Sequence, residues 1–142
     1  MADYYGFTRT NYFSVTDEKA FRKVIEDSYC SSGDIEIFEN NESGSIKFGF
    51  GCYGEICGVR EVLEDDCDEG DYDAFVSALQ SVLAEGDAII IREVGYEKLR
   101  YLIGRSHVIT KSDSRYVHLQ DRALAESQIM LNNPEYQTKM DY

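Results

Sequence analysis

Apolar side chains recur along this chain with two periods, and the two alternate. Thr8 to Val15 reads as a strand through Thr10, Tyr12 and Phe13. Phe21, Val24, Ile25 and Ser28 then share one face at helical spacing, which predicts a helix from about Asp17 to Tyr29. Thr16 is placed to cap it, and Asp17 and Glu18 suit its positive end. From Asp34 to Glu39 the period changes to two, with Ile35 and Ile37 on one side and Glu36 and Phe38 on the other. ENNESGS reads as a turn, and Ser45 to Phe50 returns with Ile46, Phe48 and Phe50 on one face, so the pair forms a hairpin. EICGVREV reads as a further strand.

The pattern then repeats. Tyr72, Phe75, Val76, Leu79, Val82 and Leu83 make a broad apolar stripe, with Asp71 as its cap and Gly86 suited to a left-handed closing position. Ala88 to Ile91 form an apolar strand core, and Leu99, Tyr101 and Ile103 alternate on the returning strand. Ser106 to Thr110 and Tyr116 to Leu119 read as two short strands around the turn KSDSR. A last helix is expected from Gln120 or Asp121 to Leu131, where Asn132, Asn133 and Pro134 stop it. The order predicts an α+β fold, mostly antiparallel sheet with helices on one face. The two helix-hairpin segments read either as a duplicated β-α-β-β unit, with residues 1–58 and 59–142 as the halves of one compact body and a C-terminal hairpin and helix added, or as two ordinary α+β segments alike by chance.

Charge adds a second theme. The chain of 142 residues carries 27 acidic and 14 basic side chains, a formal net charge of -13. Its aromatic and aliphatic residues are too regular for a disordered chain, so the charge is expected on a folded surface. Such a field repels nucleic acid and anionic membranes and attracts basic proteins. The acids are densest in EVLEDDCDEGDYD, which holds Glu61, Glu64, Asp65, Asp66, Asp68, Glu69, Asp71 and Asp73 and no basic side chain. The bland account is a solvated loop and helix entrance. The sharper one is a recognition surface that docks a basic protein groove, or spaces carboxylates like nucleic-acid phosphates. It calls for support from acids elsewhere, such as Asp17, Glu18, Glu26, Asp27, Asp34, Glu36, Glu39 and Glu42.

Specific chemistry is sparse. Read as a calcium loop with Gly70 sixth, the run puts Cys67 and Val76 at ligand positions, which breaks the motif. GFGCYG has dinucleotide-loop glycine spacing but leads into a strand instead of opening a helix. Cys52 and Cys57 lack a matching second pair for zinc, and in a cytosolic protein the four cysteines are simplest as free thiols. His107 and His118 are isolated, and no nucleophile elbow, HExxH or phosphate loop is present. No cofactor and no enzyme activity are expected. The N-terminus has no basic start or apolar core of a signal peptide, and no apolar run reaches membrane-spanning length, so a cytoplasmic protein is expected. Of the eleven tyrosines, Tyr53 and Tyr96, both beside glycines, are the candidate interface residues, and Tyr72 and Tyr101 suit the margin of a core.

YYGFTRTNYFSVTD, GFGCYG and REVGYEKLRYLIG resemble segments of small acidic proteins carried on mobile elements of gut Firmicutes. Acidic proteins of this size on phages and plasmids include anti-restriction and anti-CRISPR inhibitors, some of them DNA mimics. The resemblance implies an inhibitor that binds the DNA-binding groove of a host-defence nuclease, and it transfers no individual residue. The competing expectation is a cytosolic structural or regulatory adaptor, with homodimer formation open to it. That adaptor would show an apolar or tyrosine-rich patch and scattered acids; the inhibitor would show a continuous acidic face.

Overall fold

The computed structural model describes residues 4–42, 44–62 and 68–139. Nine strands and three helices are described, with α+β architecture and antiparallel pairing at every ladder. β1 (Tyr5–Thr10) runs through the middle of a six-stranded sheet of order β3-β4-β1-β7-β8-β9. On one side of β1 lies the hairpin of β3 (Glu36–Glu42) and β4 (Ser45–Tyr53). On the other lie β7 (Ile89–Glu97), β8 (Tyr101–Ile109) and β9 (Ser114–His118). The returning strand that carries Tyr101 and Ile103 and the short strand expected from Ser106 to Thr110 are one continuous strand, β8.

Each hairpin is preceded by a helix, as the apolar period required. α1 (Glu18–Glu26) is capped by Asp17, whose carboxylate accepts from the amides of Lys19 and Ala20. The cap is therefore Asp17 and not Thr16; Thr16 instead uses its amide and hydroxyl on the Val82 carbonyl. α2 (Tyr72–Val82) is capped by Asp71, which accepts from the Ala74 amide at 2.9 Å. Gly86 has a positive φ of 83°, but it sits in a turn beyond the helix end and not at its cap.

A second, three-stranded sheet of order β2-β5-β6 was only partly foreseen. β2 (Ser28–Cys30) takes residues expected at the end of α1, and β5 (Ile56–Val62) spans the proposed boundary between halves at residues 58 and 59. β6 (Asp68–Asp71) takes part of the acidic stretch expected as loop, and pairs with β5 before turning directly into α2. Gly58, at φ 120°, passes so close to the Asp71 and Tyr72 backbone that no Cβ would fit. That close approach sets the start of α2.

α1 and α2 bury one face of the large sheet. Phe13, Phe21, Phe48, Phe50 and Phe75 form a chain of ring contacts there, with centroids 5.4 to 6.0 Å apart. Leu79, Val82, Ile89, Ile91 and Ile109 extend the core toward β8. α3 (Leu119–Met130) leaves the end of β9 and contributes no buried residue. Its first side chain, Leu119, rests over Gly104, on the sheet face that α1 and α2 do not cover. Among the described residues, no helix is long and apolar enough to cross a membrane.

Candidate functional site

The uncovered face of the sheet is where exposed aromatic side chains collect. Strand register places Tyr53, Phe7 and Val94 in one cross-strand row, through the pairs Phe7–Tyr53 and Phe7–Val94. Tyr5, Tyr96 and Leu102 make the next row. All six are exposed, from half exposed at Tyr96 to 73% at Leu102. Phe7 meets Tyr53 edge-on with centroids 5.5 Å apart, and Tyr5 lies 5.7 Å from Tyr96. Val117 and Leu119 continue the apolar surface toward β9. Contiguous exposed apolar surface of this kind is a feature of interaction sites.

A third row carries charge. Gly51, Arg9, Arg92 and Ser106 are cross-strand neighbours, so two arginines stand directly opposite each other. Like charges at such a pair destabilise a sheet. Arg9 stacks its guanidinium 4.4 Å from the centre of the Phe38 ring and donates to the Tyr12 hydroxyl. Arg92 has no acidic partner among the described residues. By register the same face also holds Lys47 and Arg115, with Glu36 and Glu42 as its acids. The balance is thus basic on this face of an acidic protein. Because Gly51 has no side chain, a groove of about 230 Å³ opens between Phe38, Arg9 and Tyr53.

The opposite, covered face closes its far end with polar side chains. The Tyr4 ring lies on the cross-strand pair Gly6 and Gly95, where any Cβ would clash with it. Its hydroxyl donates to the buried carboxylate of Glu93 at 2.7 Å, and the Arg105 guanidinium donates to the other oxygen at 2.9 and 3.2 Å. Burial and the neighbouring Glu93 both push the Tyr4 hydroxyl pKa upward. His107 is sandwiched between Tyr72 and Tyr116, with the Tyr116 ring 4.1 Å away and almost parallel. Its Nδ1 is 2.7 Å from the Tyr72 hydroxyl, and burial followed by the nearby Arg105 charge lowers its pKa. The donors of Arg105 and Tyr4 occupy Glu93, and two rings flank His107. These contacts hold β7, β8 and β9 together. Cys30, Cys52 and Cys57 are free thiols, and burial pushes Cys52 up to about 12, far from a reactive thiolate.

The sequence candidates fall into two groups. Tyr53 and Tyr96 stand on the open face, on either side of β1. In the acidic stretch, Asp71 is spent as the α2 cap and Asp73 is exposed in the first turn. Glu61, Asp68 and Glu69 are placed by strand register alone, with Glu61 opposite Glu69 and Asp68 opposite Val62. Glu64, Asp65 and Asp66 lie outside the described residues. Of the supporting acids, Glu18 and Glu39 pair with Arg22, Asp27 with Lys23, and Asp34 with Arg60 at 3.7 Å. Sequence reasoning missed Tyr5, Phe7, Val94, Leu102 and the Arg9–Arg92 pair, because each counts only once β1 is inserted between β4 and β7. Among the described residues, no group of three or more His, Cys, Asp and Glu side chains is set to hold a metal ion. Comparison with protein-family models, curated proteins and solved structures finds no match.

Proposed function

We propose that this protein is a non-catalytic binding module, an adaptor whose working surface is the open face of the six-stranded sheet. The observation that carries the reading is the run of exposed apolar side chains across β4, β1, β7 and β8, with Tyr53 69% exposed at one edge and Leu102 73% exposed at the other. Aromatic residues on a rigid sheet supply contact area at little conformational cost, as at interface hot spots. Replacing Phe7, Tyr53 and Tyr96 together by Ser tests this. The variant should keep the wild-type circular dichroism and melting behaviour and lose the partner retained by the wild type in pull-down. Equal retention by the two proteins rules the face out.

A second reading keeps the acidic surface as a dock for a basic groove, including that of a DNA-binding nuclease. One specific feature favours it: Glu61 and Glu69 are direct cross-strand partners at the entrance to α2. Capture through this surface should weaken steeply with salt and compete with DNA. Charge reversal of Asp65, Asp66, Asp68 and Glu69 to Lys should abolish it, and unaffected capture removes the acidic stretch from the mechanism.

A further inference from the structure

We infer that the occupant of the open face is a second copy of this chain, with α3 of each copy laid on the sheet of the other. The inference rests on the reading of that face as the working surface and names its partner. Two elements of the chain are left uncovered, and they complement each other. One is the sheet face. The other is the far end of α3, where Ile129, Met130 and Leu131 are consecutive, apolar and exposed, Met130 by 84%. Exposed apolar runs of this kind mark function when they occur in a folded protein.

α3 also needs a cover. A twelve-residue helix with little tertiary packing is marginal in water, and α3 buries no residue and packs mainly against β8 and β9. Its own sheet leaves its apolar end uncovered: Leu119 at the helix start packs over Gly104, while Ile129 and Met130 stay 71% and 84% exposed. Dimensions agree with an exchange between copies. Twelve residues of helix extend ~18 Å, and strands β4, β1, β7 and β8 span ~14 Å at the usual strand spacing. The groove over Gly51 has room for a side chain such as Met130.

Charge points the same way. Among the described residues the sheet face holds Arg9, Lys47, Arg92 and Arg115 against Glu36 and Glu42, whereas α3 and the residues after it carry Asp121, Glu126 and Glu135 against Arg122 and Lys139. A two-fold axis would satisfy both contacts at once and close the assembly, since each copy offers one helix and one sheet. A partner of any other kind would leave α3 to be covered separately.

The test is sedimentation velocity on the full chain over a wide concentration range, with three protein samples. The wild type should sediment with twice the chain mass and dissociate on dilution. Phe7→Glu and Met130→Glu, both at exposed positions, should each sediment at the mass of one chain with unchanged circular dichroism. Mixing the two variants should restore a two-chain species, because the intact helix of the first can still lie on the intact sheet of the second. A wild type that stays at one-chain mass at all concentrations overturns the inference, as do variants that still associate or a mixture that does not. The binding-module reading is judged separately. If the wild type is monomeric but Phe7→Glu abolishes capture of another protein or binding of a labelled single-stranded oligonucleotide, the face works with a different occupant. If Phe7→Glu changes none of these, the face reading falls as well.

Discussion

The two faces of one sheet obey opposite rules. On β1, Thr8 and Thr10 point to the helix-covered side and are buried, while Tyr5, Phe7 and Arg9 point outward and are exposed. The covered side affords small residues on β1 because neighbouring phenylalanines from β4, α1 and α2 fill the space above them. Thr10 even serves as a backbone surrogate, its hydroxyl accepting from the Phe50 amide at 3.0 Å. Size and polarity are therefore inverted on the strand that joins the two hairpins. The lesson is that the large apolar residues of β1 are not there to make the core. Exposed apolar surface of that kind is what interaction sites are made of.

The largest effect that separates the faces should come from one residue type on adjacent strands. Phe50 is 0% exposed and meets Phe13, Phe21 and Phe75; Phe7 is 55% exposed. Phe50→Ala should lower unfolding free energy by about 3–5 kcal/mol, read from urea melts. Phe7→Ala should stay within about 0.5 kcal/mol when measured at concentrations where the chain is monomeric. Comparable losses at both sites would erase the distinction between the faces.

An intermediate effect is expected where the covered face closes over glycine. Gly95→Ala would put a methyl group into the Tyr4 ring and lift its hydroxyl from Glu93. Overpacking of this kind costs about 1–3 kcal/mol. In a Tyr4→Ala background the same substitution should cost much less, since the ring that blocks it is gone. A double-mutant cycle from chemical denaturation reads the difference. Additive losses would show that Gly95 is needed for another reason.

This inversion also explains what was legible in the sequence. Both α-helix-and-hairpin segments could be read, because Phe21 and Ile25, then Phe75 and Leu79, keep helical spacing, and Ala88 to Ile91 form a short continuous apolar run. β2 was hidden, since Ser28 falls on the α1 stripe and its true partner, Val59, lies far along the chain. β6 was hidden for another reason: Asp-Glu-Gly-Asp has no apolar face, and only backbone pairing to β5 makes it a strand. Of the candidate site, Tyr53 and Tyr96 could be singled out by their glycine neighbours. Their common face could not, because it depends on long-range pairing of β1 with β4 on one edge and β7 on the other.

The smallest effect is the most informative about the open face. Arg9 and Arg92 are direct partners across β1 and β7. Arg9 is partly compensated by Phe38 and Tyr12, whereas Arg92 is exposed and has no acidic partner among the described residues. Removing one charge should therefore relieve repulsion, and a β-branched replacement suits the pleated surface. Arg92→Thr should raise the stability of the monomeric chain by about 0.2–1 kcal/mol, with the gain shrinking as salt screens the pair. The same substitution should weaken association of two copies, because it removes positive charge opposite the acids of α3. A variant that is more stable alone and poorer at pairing would mean that the arginine is kept at the expense of folding. A destabilised Arg92→Thr would instead make the arginine pair part of the sheet's own support, and the basic row would lose its claim as a recognition feature.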